Sequence, residues 1–305
     1  MELQDLKYFC VAAELEHITK AAEILDVSQP FLTKVIQRLE NELGTPLFDH
    51  RGRLVALNSY GQVVYRRAKE ILAATEALQD EIGDMLDMGN RSISIMTNTM
   101  IYMSDILAEF NAEFPNYMVT VTSTHLRRIK SSLRSRKIDL ALTTPPLAEN
   151  ISSGLRTIPV LKDHIGLLLP PEHRFCGKTD LKLEDLRNEQ IIISPPGFGM
   201  RNSMEKIFAS HNLEMHIVIE TGEVNDIISF VQKGIGAAFM PVTYIKKHPE
   251  LRKDYIFLKD MPEPDPIGLS YYEDAYIARG KRLFRDLVID FFLDPKNSIL
   301  PDDLE

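Results

Sequence analysis

Residues 28–40 read SQPFLTKVIQRLE, and the reading of this stretch decides the N-terminal fold. Ser28 stands where a helix N-cap is wanted, and Pro30 falls in the first turn, where a missing N–H does little harm. Leu32, Val35, Ile36 and Leu39 follow at i, i+3, i+4, i+7 and form one buried stripe. Pro30, Thr33, Lys34 and Gln37 lie on the other side. The stretch therefore reads as a helix with its back on a core and its front free to touch something else.

The sequence before it supplies that core. Leu6, Phe9, Cys10 and Ala13 recur at helical spacing, and Thr19 is placed to cap a second helix whose inner side is Ala21, Ala22, Ile24 and Leu25. Asp26-Val27 makes the turn into the third helix, and Gly44 stops it. Two apolar runs, 46–48 and 54–57, flank the polar turn DHRGR, which reads as a hairpin with a basic tip. A helix-turn-helix followed by a hairpin is a winged arrangement. Such a unit puts the front of its second motif helix into a DNA major groove.

The side chains on that front fit the task. Gln29 matches the donor–acceptor pair that adenine presents, and Pro30 and the methyl of Thr33 suit a thymine methyl. Ser28, at a helix N-terminus, suits a phosphate. Lys34 and Arg38 suit the backbone, Gln37 extends the same face, and Arg51 and Arg53 place the wing beside a phosphate or minor groove. The whole chain has a formal net charge of -9, so any nucleic-acid contact has to come from a local cluster rather than from global charge.

From Tyr60 to Met88 one long helix is expected. Val64, Ala68, Ile71, Thr75, Leu78, Ile82 and Met85 step by four and three alternately, a heptad seam that reads as a dimer contact. Beyond it, apolar strands at 92–97, 117–123, 138–144, 165–170, 190–194, 216–221 and 235–241 alternate with amphipathic helical patterns. That rhythm predicts mostly parallel α/β sheets in two subdomains, with crossings near 161–166 and 263–268.

The segment from Leu6 to Gly61, LKYFCVAAELEHITKAAEILDVSQPFLTKVIQRLENELGTPLFDHRGRLVALNSYG, resembles the DNA-binding domain of the LysR-type transcriptional regulators. Phe9, Ala12, Thr19, Ala21, Ala22, Leu25, Ser28, Gln29, Pro30, Leu39, Glu40, Leu43, Gly44, Leu47, Phe48 and Arg51 match the family pattern. His17-Ile18, Phe31, Thr33 and Asp49-His50 depart from it. The resemblance implies an α+β multidomain protein. A winged helix-turn-helix covers residues 1–59 and a linker and dimerisation helix 60–89. A two-lobed α/β effector domain like a periplasmic binding protein covers 90–305, with lobe I at 90–162 and 268–293 and lobe II at 163–267. It further implies double-stranded operator DNA as partner, a homodimer through the linker helix that assembles into a tetramer, a cytoplasmic location, and a small-molecule effector between the lobes.

Candidate effector contacts follow from strand ends and helix starts. Thr97, Asn98 and Thr99 leave the first strand and enter a helix, Ser123 and Thr124 end the second strand, and Thr143 and Thr144 end the third. Open α/β sheets bind ligands beyond such ends. In lobe II, SPPGFGMRNS (194–203) supplies Phe198 as a wall and Arg201 as a counter-ion, and Asn225 opens another helix. Hydroxyls and free N–H groups at helix starts favour a small anion.

Catalytic, metal and cofactor groups are not expected. The eight histidines are scattered, Cys10 and Cys176 lack ligand spacing, and neither a Walker nor a Rossmann motif occurs. The competing expectation is a small-molecule binding protein or enzyme whose N-terminal helices serve only assembly. It predicts indifference to DNA.

Overall fold

The computed structural model describes residues 1–51, 54–86, 91–149, 154–273 and 276–294. Two compact units emerge: Met1–Gly89 with Asp274–Ile277, and Asn90–Glu273 with Ala278–Glu305.

The first unit begins with three helices, α1 (Leu3–Leu15), α2 (Ile18–Ile24) and α3 (Gln29–Leu43). Ser28 caps α3: its backbone is extended and its hydroxyl accepts the Phe31 N–H at 3.3 Å. Gly44 closes the helix in the left-handed region, at φ 72. The cap of α2 differs from expectation. His17, not Thr19, holds the N-cap position, and its Nδ1 accepts the Lys20 N–H at 3.5 Å. Ile18 is already helical, so Thr19 falls inside the first turn.

Leu32, Val35, Ile36 and Leu39 are buried, and all but Val35 belong to one core with Phe9, Ala12, Ala21, Leu47 and Phe48. Each such side chain contributes about 1.5–3 kcal/mol by leaving water. The hairpin pairs β1 (Phe48–Arg51) with β2 (Leu54–Leu57), Phe48 opposite Leu57. Asn58 then caps α4 (Ser59–Met85) by accepting the Gly61 N–H at 2.9 Å. Gly61 is obligatory here, since a Cβ would stand 2.0 Å from the Leu47 carbonyl oxygen. The start of α4 packs on the same core through Ala68, Val64, Tyr65 and Leu72. Farther along, Ile71, Leu78, Ile82 and Met85 are exposed.

The second unit holds two sheets. The first has the order β4-β3-β5-β12-β6, built from β3 (Ser92–Thr97), β4 (Met118–Ser123), β5 (Leu140–Thr143), β6 (Leu155–Leu161) and β12 (Ile267–Tyr272). Helices α5 (Met103–Glu113) and α10 (Arg279–Leu293) share a core with it around Phe110 and Phe284. Helix α6 (Leu126–Arg134) packs on it through Ile129 and Leu133. The second sheet places β7 (Ile165–Leu168) between β10 (Ala238–Pro241) and β11 (Tyr255–Ile256). A parallel bridge from Ile191 to Ala237 joins it to the pair β8 (Gln190–Ile193) and β9 (His216–Glu220). Its helices are α7 (Gly199–Ser210), α8 (Val224–Gln232) and α9 (Val242–Lys247).

The sheets are mixed rather than mostly parallel. β3 runs parallel to β4 and β5, and β8 parallel to β9, but β12 opposes both β5 and β6, and β7 opposes both β10 and β11. The opposed strands flank the points where the chain passes from one sheet to the other. A strand's direction there depends on which sheet the chain has just left, and apolarity does not report that.

Candidate functional site

Two places in the molecule collect the side chains of interest. The first is the front of α3. Gln29, Pro30, Lys34, Gln37 and Arg38 are exposed there, as is Ser28 ahead of them. Among the described residues Lys34 has no carboxylate partner, which leaves its ammonium free for an external anion. Thr33 is half-buried and donates its hydroxyl to the Gln29 carbonyl at 3.0 Å. Its hydroxyl proton is thereby engaged, and its methyl is the group left for an apolar contact. Arg38 is only partly available, because its Nη2 pairs with Asp5, a carboxylate buried to 2% exposure on α1. That bond ties α3 to α1, and the Asp5 carboxylate raises the pKa of the guanidinium. Arg51 is described only by its backbone in β1, and Arg53 lies outside the described residues.

The sequence marks Phe31 as a departure from the family pattern and not as a DNA contact. It is exposed on this same front and meets Tyr8 edge to face, centroids 6.0 Å apart. The signal was present as a bulky residue in a position where the family pattern is small. A rigid aromatic ring beside Gln29 gives the front an apolar contact that the hydroxyls and amides lack.

The second place is a cleft between the two sheets of the second unit. It encloses ≈ 950 Å³, open solvent at its mouth included. Lobe I contributes Asn98, Thr99, Met100, Ile101, Tyr102, Ser123 and Thr144, and lobe II Ser194, Phe198, Met200, Ser203, Val224 and Ile227 among others. Of the residues expected at the effector, Asn98, Thr99, Ser123, Thr144 and Phe198 therefore line one cavity. Thr97, Thr124, Thr143, Arg201 and Asn225 do not line it.

The reasons are local. Thr97 is fully buried, and its hydroxyl accepts the Thr99 N–H at 2.9 Å. Thr143 is fully buried in β5. Thr124 is held by its own N–H on the Thr97 carbonyl at 2.9 Å. Asn225 is exposed at the start of α8. Arg201 is buried and committed to two carboxylates, Nε to Glu205 at 2.5 Å and Nη1 to Glu220 at 2.7 Å. Its charge is neutralised within the protein.

Both lobes contribute polar groups to the cleft. Asn98 clamps Thr144, accepting its N–H at 3.1 Å and donating to its carbonyl at 2.9 Å. The Ser194 hydroxyl is buried in the wall with no hydrogen-bond partner among the described residues. The starts of α7 and α8 both supply cleft residues, Phe198 and Met200 for one and Val224 for the other. So does the single turn Met100–Tyr102 that leads into α5. The lining also carries Thr99, Ser123, Ser203 and the carboxylates Asp163 and Asp265; the rest of it is apolar, and among the described residues it contains no lysine, arginine or histidine.

In the crossing from β6 to β7 lies Asp163, also missed in the sequence. It is 6% exposed. One carboxylate oxygen accepts the Tyr102 hydroxyl at 2.6 Å from lobe I, and the other accepts the Thr243 N–H at 3.3 Å from lobe II. Burial raises its pKa, against the hydrogen bonds from Thr243 and Tyr102 that lower it. Burial and the neighbouring Asp163 charge raise the Tyr102 phenol well above its ordinary value.

Two backbone bonds hold the lobes together across the cleft mouth: Gly199 N–H to the Asn98 carbonyl at 3.2 Å, and Leu126 N–H to the Gly197 carbonyl at 3.1 Å. A Cβ on Gly199 would meet Thr144 Cγ2 at 2.3 Å. Gly199→Ala is therefore expected to cost about 1–3 kcal/mol by overpacking this contact. The check is a urea titration of the full chain. An unchanged midpoint would show that the lobes do not need this approach.

Comparison with known proteins bears on both places. A sequence model described as the LysR substrate binding domain matches residues 92–292, and one described as the bacterial regulatory helix-turn-helix protein, lysR family, matches residues 3–62. The HTH-type transcriptional regulator BsdA of Bacillus subtilis is 28% identical over 297 residues, covering 94% of this chain and 100% of its own. A full-length OxyR variant of Pseudomonas aeruginosa superposes with a TM-score of 0.66 at 18% identity, covering 98% of this chain and 96% of its own. Full-length BenM superposes with a TM-score of 0.56 at 21% identity, covering 99% and 100%. Both structures share the fold.

Proposed function

The chain belongs to the LysR family of transcriptional regulators, DNA-binding proteins with an effector-binding domain and not enzymes, and from that premise we propose how its two sites work. The front of α3 reads the major groove. Gln29 addresses a base edge, Pro30, Thr33 and Phe31 supply apolar contact, and Ser28, Lys34, Gln37 and Arg38 hold the phosphates. Arg51 and Arg53 extend the contact through the wing. The observation that carries this reading is the division of α3, with four apolar side chains buried and a polar front exposed.

The exposed stripe Ile71, Leu78, Ile82 and Met85 on α4 pairs two chains, and the dimers associate into tetramers in the cytoplasm. Among the described residues no helix is long and apolar enough to cross a membrane. Pairing sets two reading helices a fixed number of helical turns apart on the duplex, about 34 Å per turn.

The effector is a small anion, specifically a carboxylate on an apolar body. The helix starts and hydroxyls of the lining suit the carboxylate. Met100, Ile101, Phe198 and Ile227 suit the body. With no cation in the lining among the described residues, the anion is held by backbone N–H groups and hydroxyls rather than by an ion pair.

The test of the DNA reading is anisotropy with duplex taken from upstream of its own gene. Gln29→Ala is expected to weaken binding by about 1–3 kcal/mol, the worth of one good base contact, with the thermal melt unchanged. Equal binding by wild type and variant would remove α3 from the interface. The effector class is tested by thermal shift with a panel of small carboxylates and their amides. Amides that stabilise as well as the acids would refute an anion site.

A further inference from the structure

From Phe114 to Ile138 the chain carries no Asp or Glu, yet it holds Arg127, Arg128, Lys130, Arg134, Arg136 and Lys137, in a protein of formal net charge -9. Four of these cations fall on α6. Ile129, Ser132 and Leu133 are its buried residues. Arg127, Lys130 and Arg134 stand at i, i+3, i+7 on the opposite face with Ser131 between them, and all four are exposed, as is Arg128. The stripe spans about 10 Å along the helix axis. Arg127, Arg128, Lys130 and Arg134 have no carboxylate partner among the described residues. Arg136, by contrast, lies 3.8 Å over the ring of Tyr272.

Helix stability does not account for this arrangement. Arg127 and Arg128 sit in the first turn, where the helix dipole disfavours positive charge, and no acidic residue accompanies them. A face that serves only solubility mixes charges of both signs. The stripe also lacks what other partners need. A protein interface has an apolar core rich in aromatic residues, and an interfacial membrane helix has an apolar face to insert. The outer face of α6 carries only guanidinium, ammonium and hydroxyl groups, which are the donors that bind phosphates. Arginine, the more numerous cation here, engages a phosphate with two parallel N–H bonds.

We propose that the outer face of α6 is a docking surface for the sugar-phosphate backbone of double-stranded DNA, a sequence-independent contact made by the effector domain. It goes beyond the reading by α3 and stands without it. Salt dependence isolates it. Full-length protein is titrated with a labelled duplex of random sequence between about 50 and 200 mM KCl, where log K falls with log salt by about 0.9 for each phosphate neutralised.

The variant Arg127→Gln/Lys130→Gln/Arg134→Gln keeps good helix formers on the face. It should reduce the slope by about 2 to 3 in all, while Arg127→Lys/Arg134→Lys keeps it. Should the triple variant fail to fold, Lys130→Gln alone should lower the slope by about 0.9. An unchanged slope in a folded variant overturns the proposal. So does wild-type binding of poly-glutamate that the variant loses without change in its DNA slope, which would make the partner an acidic protein. The result is read apart from that of α3: Gln29→Ala alters discrimination between duplexes of different sequence and leaves the slope as it was.

Discussion

Asp163→Ala is expected to destabilise the effector-binding unit more than any other single change at the cleft. Two buried donors, the Tyr102 hydroxyl and the Thr243 N–H, lose their acceptor. Each buried donor left unsatisfied costs about 1–3 kcal/mol. The two donors come from different lobes, so the variant also loses a side chain that bonds to both. For a unit of this size each kcal/mol lowers the melting point by about 2–4 °C, so calorimetry on the full chain reads the loss directly. A melting point within about 1 °C of wild type would show that water or a neighbour replaces the carboxylate.

Asp163→Asn separates the hydrogen bonds from the charge. The amide oxygen still accepts from Thr243, and the amide nitrogen can donate to the Tyr102 oxygen. What the variant loses is the proton. Burial holds the Asp163 pKa above its unfolded value, which is about 3.9, despite the hydrogen bonds that favour the ion. Below about pH 3.9 both folded and unfolded carboxyls are protonated, and the contribution to stability is full. As pH rises, the unfolded chain releases this proton while the folded one retains it, so stability falls until the folded pKa is passed. Above that both are ionised and the difference is constant. Tyr102 and Tyr255 face the group but are themselves pushed well above their ordinary range, and His164 adds positive charge that lowers the Asp163 pKa. The stability of wild type relative to Asp163→Asn should therefore decline with rising pH from about pH 3.9 to the raised value. A flat difference across that window would place the pKa at its ordinary value.

The parts of the fold legible in the sequence were those set by neighbours along the chain. Ser28, Pro30 and Gly44 mark the ends of α3 because caps are decided within a turn or two. The buried stripe from Leu32 to Leu39 follows from helical period alone. Even here a competing local cap intervened, and His17 took the position assigned to Thr19.

The cleft was legible only in outline. Strand ends located Asn98, Thr99, Ser123 and Thr144, because ligand sites lie beyond strand termini in such sheets. The same rule nominated Thr97 and Thr143, which the packing buries. Arg201 read as a free counter-ion although Glu205, one of its two partners, stands at i+4 on the same helix; the other, Glu220 on β9, is remote in sequence and reaches it only by tertiary folding. Asp163 and Tyr102 were invisible for the same reason, being sixty-one residues apart. Nothing in the sequence around either one signals a buried carboxylate–phenol pair.

Phe110→Ala should have a comparable effect by a different route. Phe110 is 1% exposed at the centre of the lobe I core. Its ring meets Phe284 at 4.9 Å and 76°, Phe114 at 5.1 Å and Tyr117 at 6.0 Å, and Ile106 and Met103 belong to the same cluster. Truncation removes the transfer energy of the ring and leaves a cavity that these large neighbours fill only in part, a loss of about 3–5 kcal/mol. The edge-to-face pairs account for about 0.5–1.5 kcal/mol each beyond area burial. Phe114 touches the same cluster but is half-buried, so Phe114→Ala should cost distinctly less, and the contrast between the two controls for loss of an aromatic ring as such. The consequence reaches the cleft because α5 carries Phe110 and follows directly on the turn Met100–Tyr102, which lines it. Hydrogen exchange should show α5 and β3 losing protection in Phe110→Ala while α1 to α3, which belong to the other compact unit, keep theirs. Equal loss in both units would mean that they unfold as one, and a loss below about 1 kcal/mol would mean that the core collapses around the missing ring as few cores do.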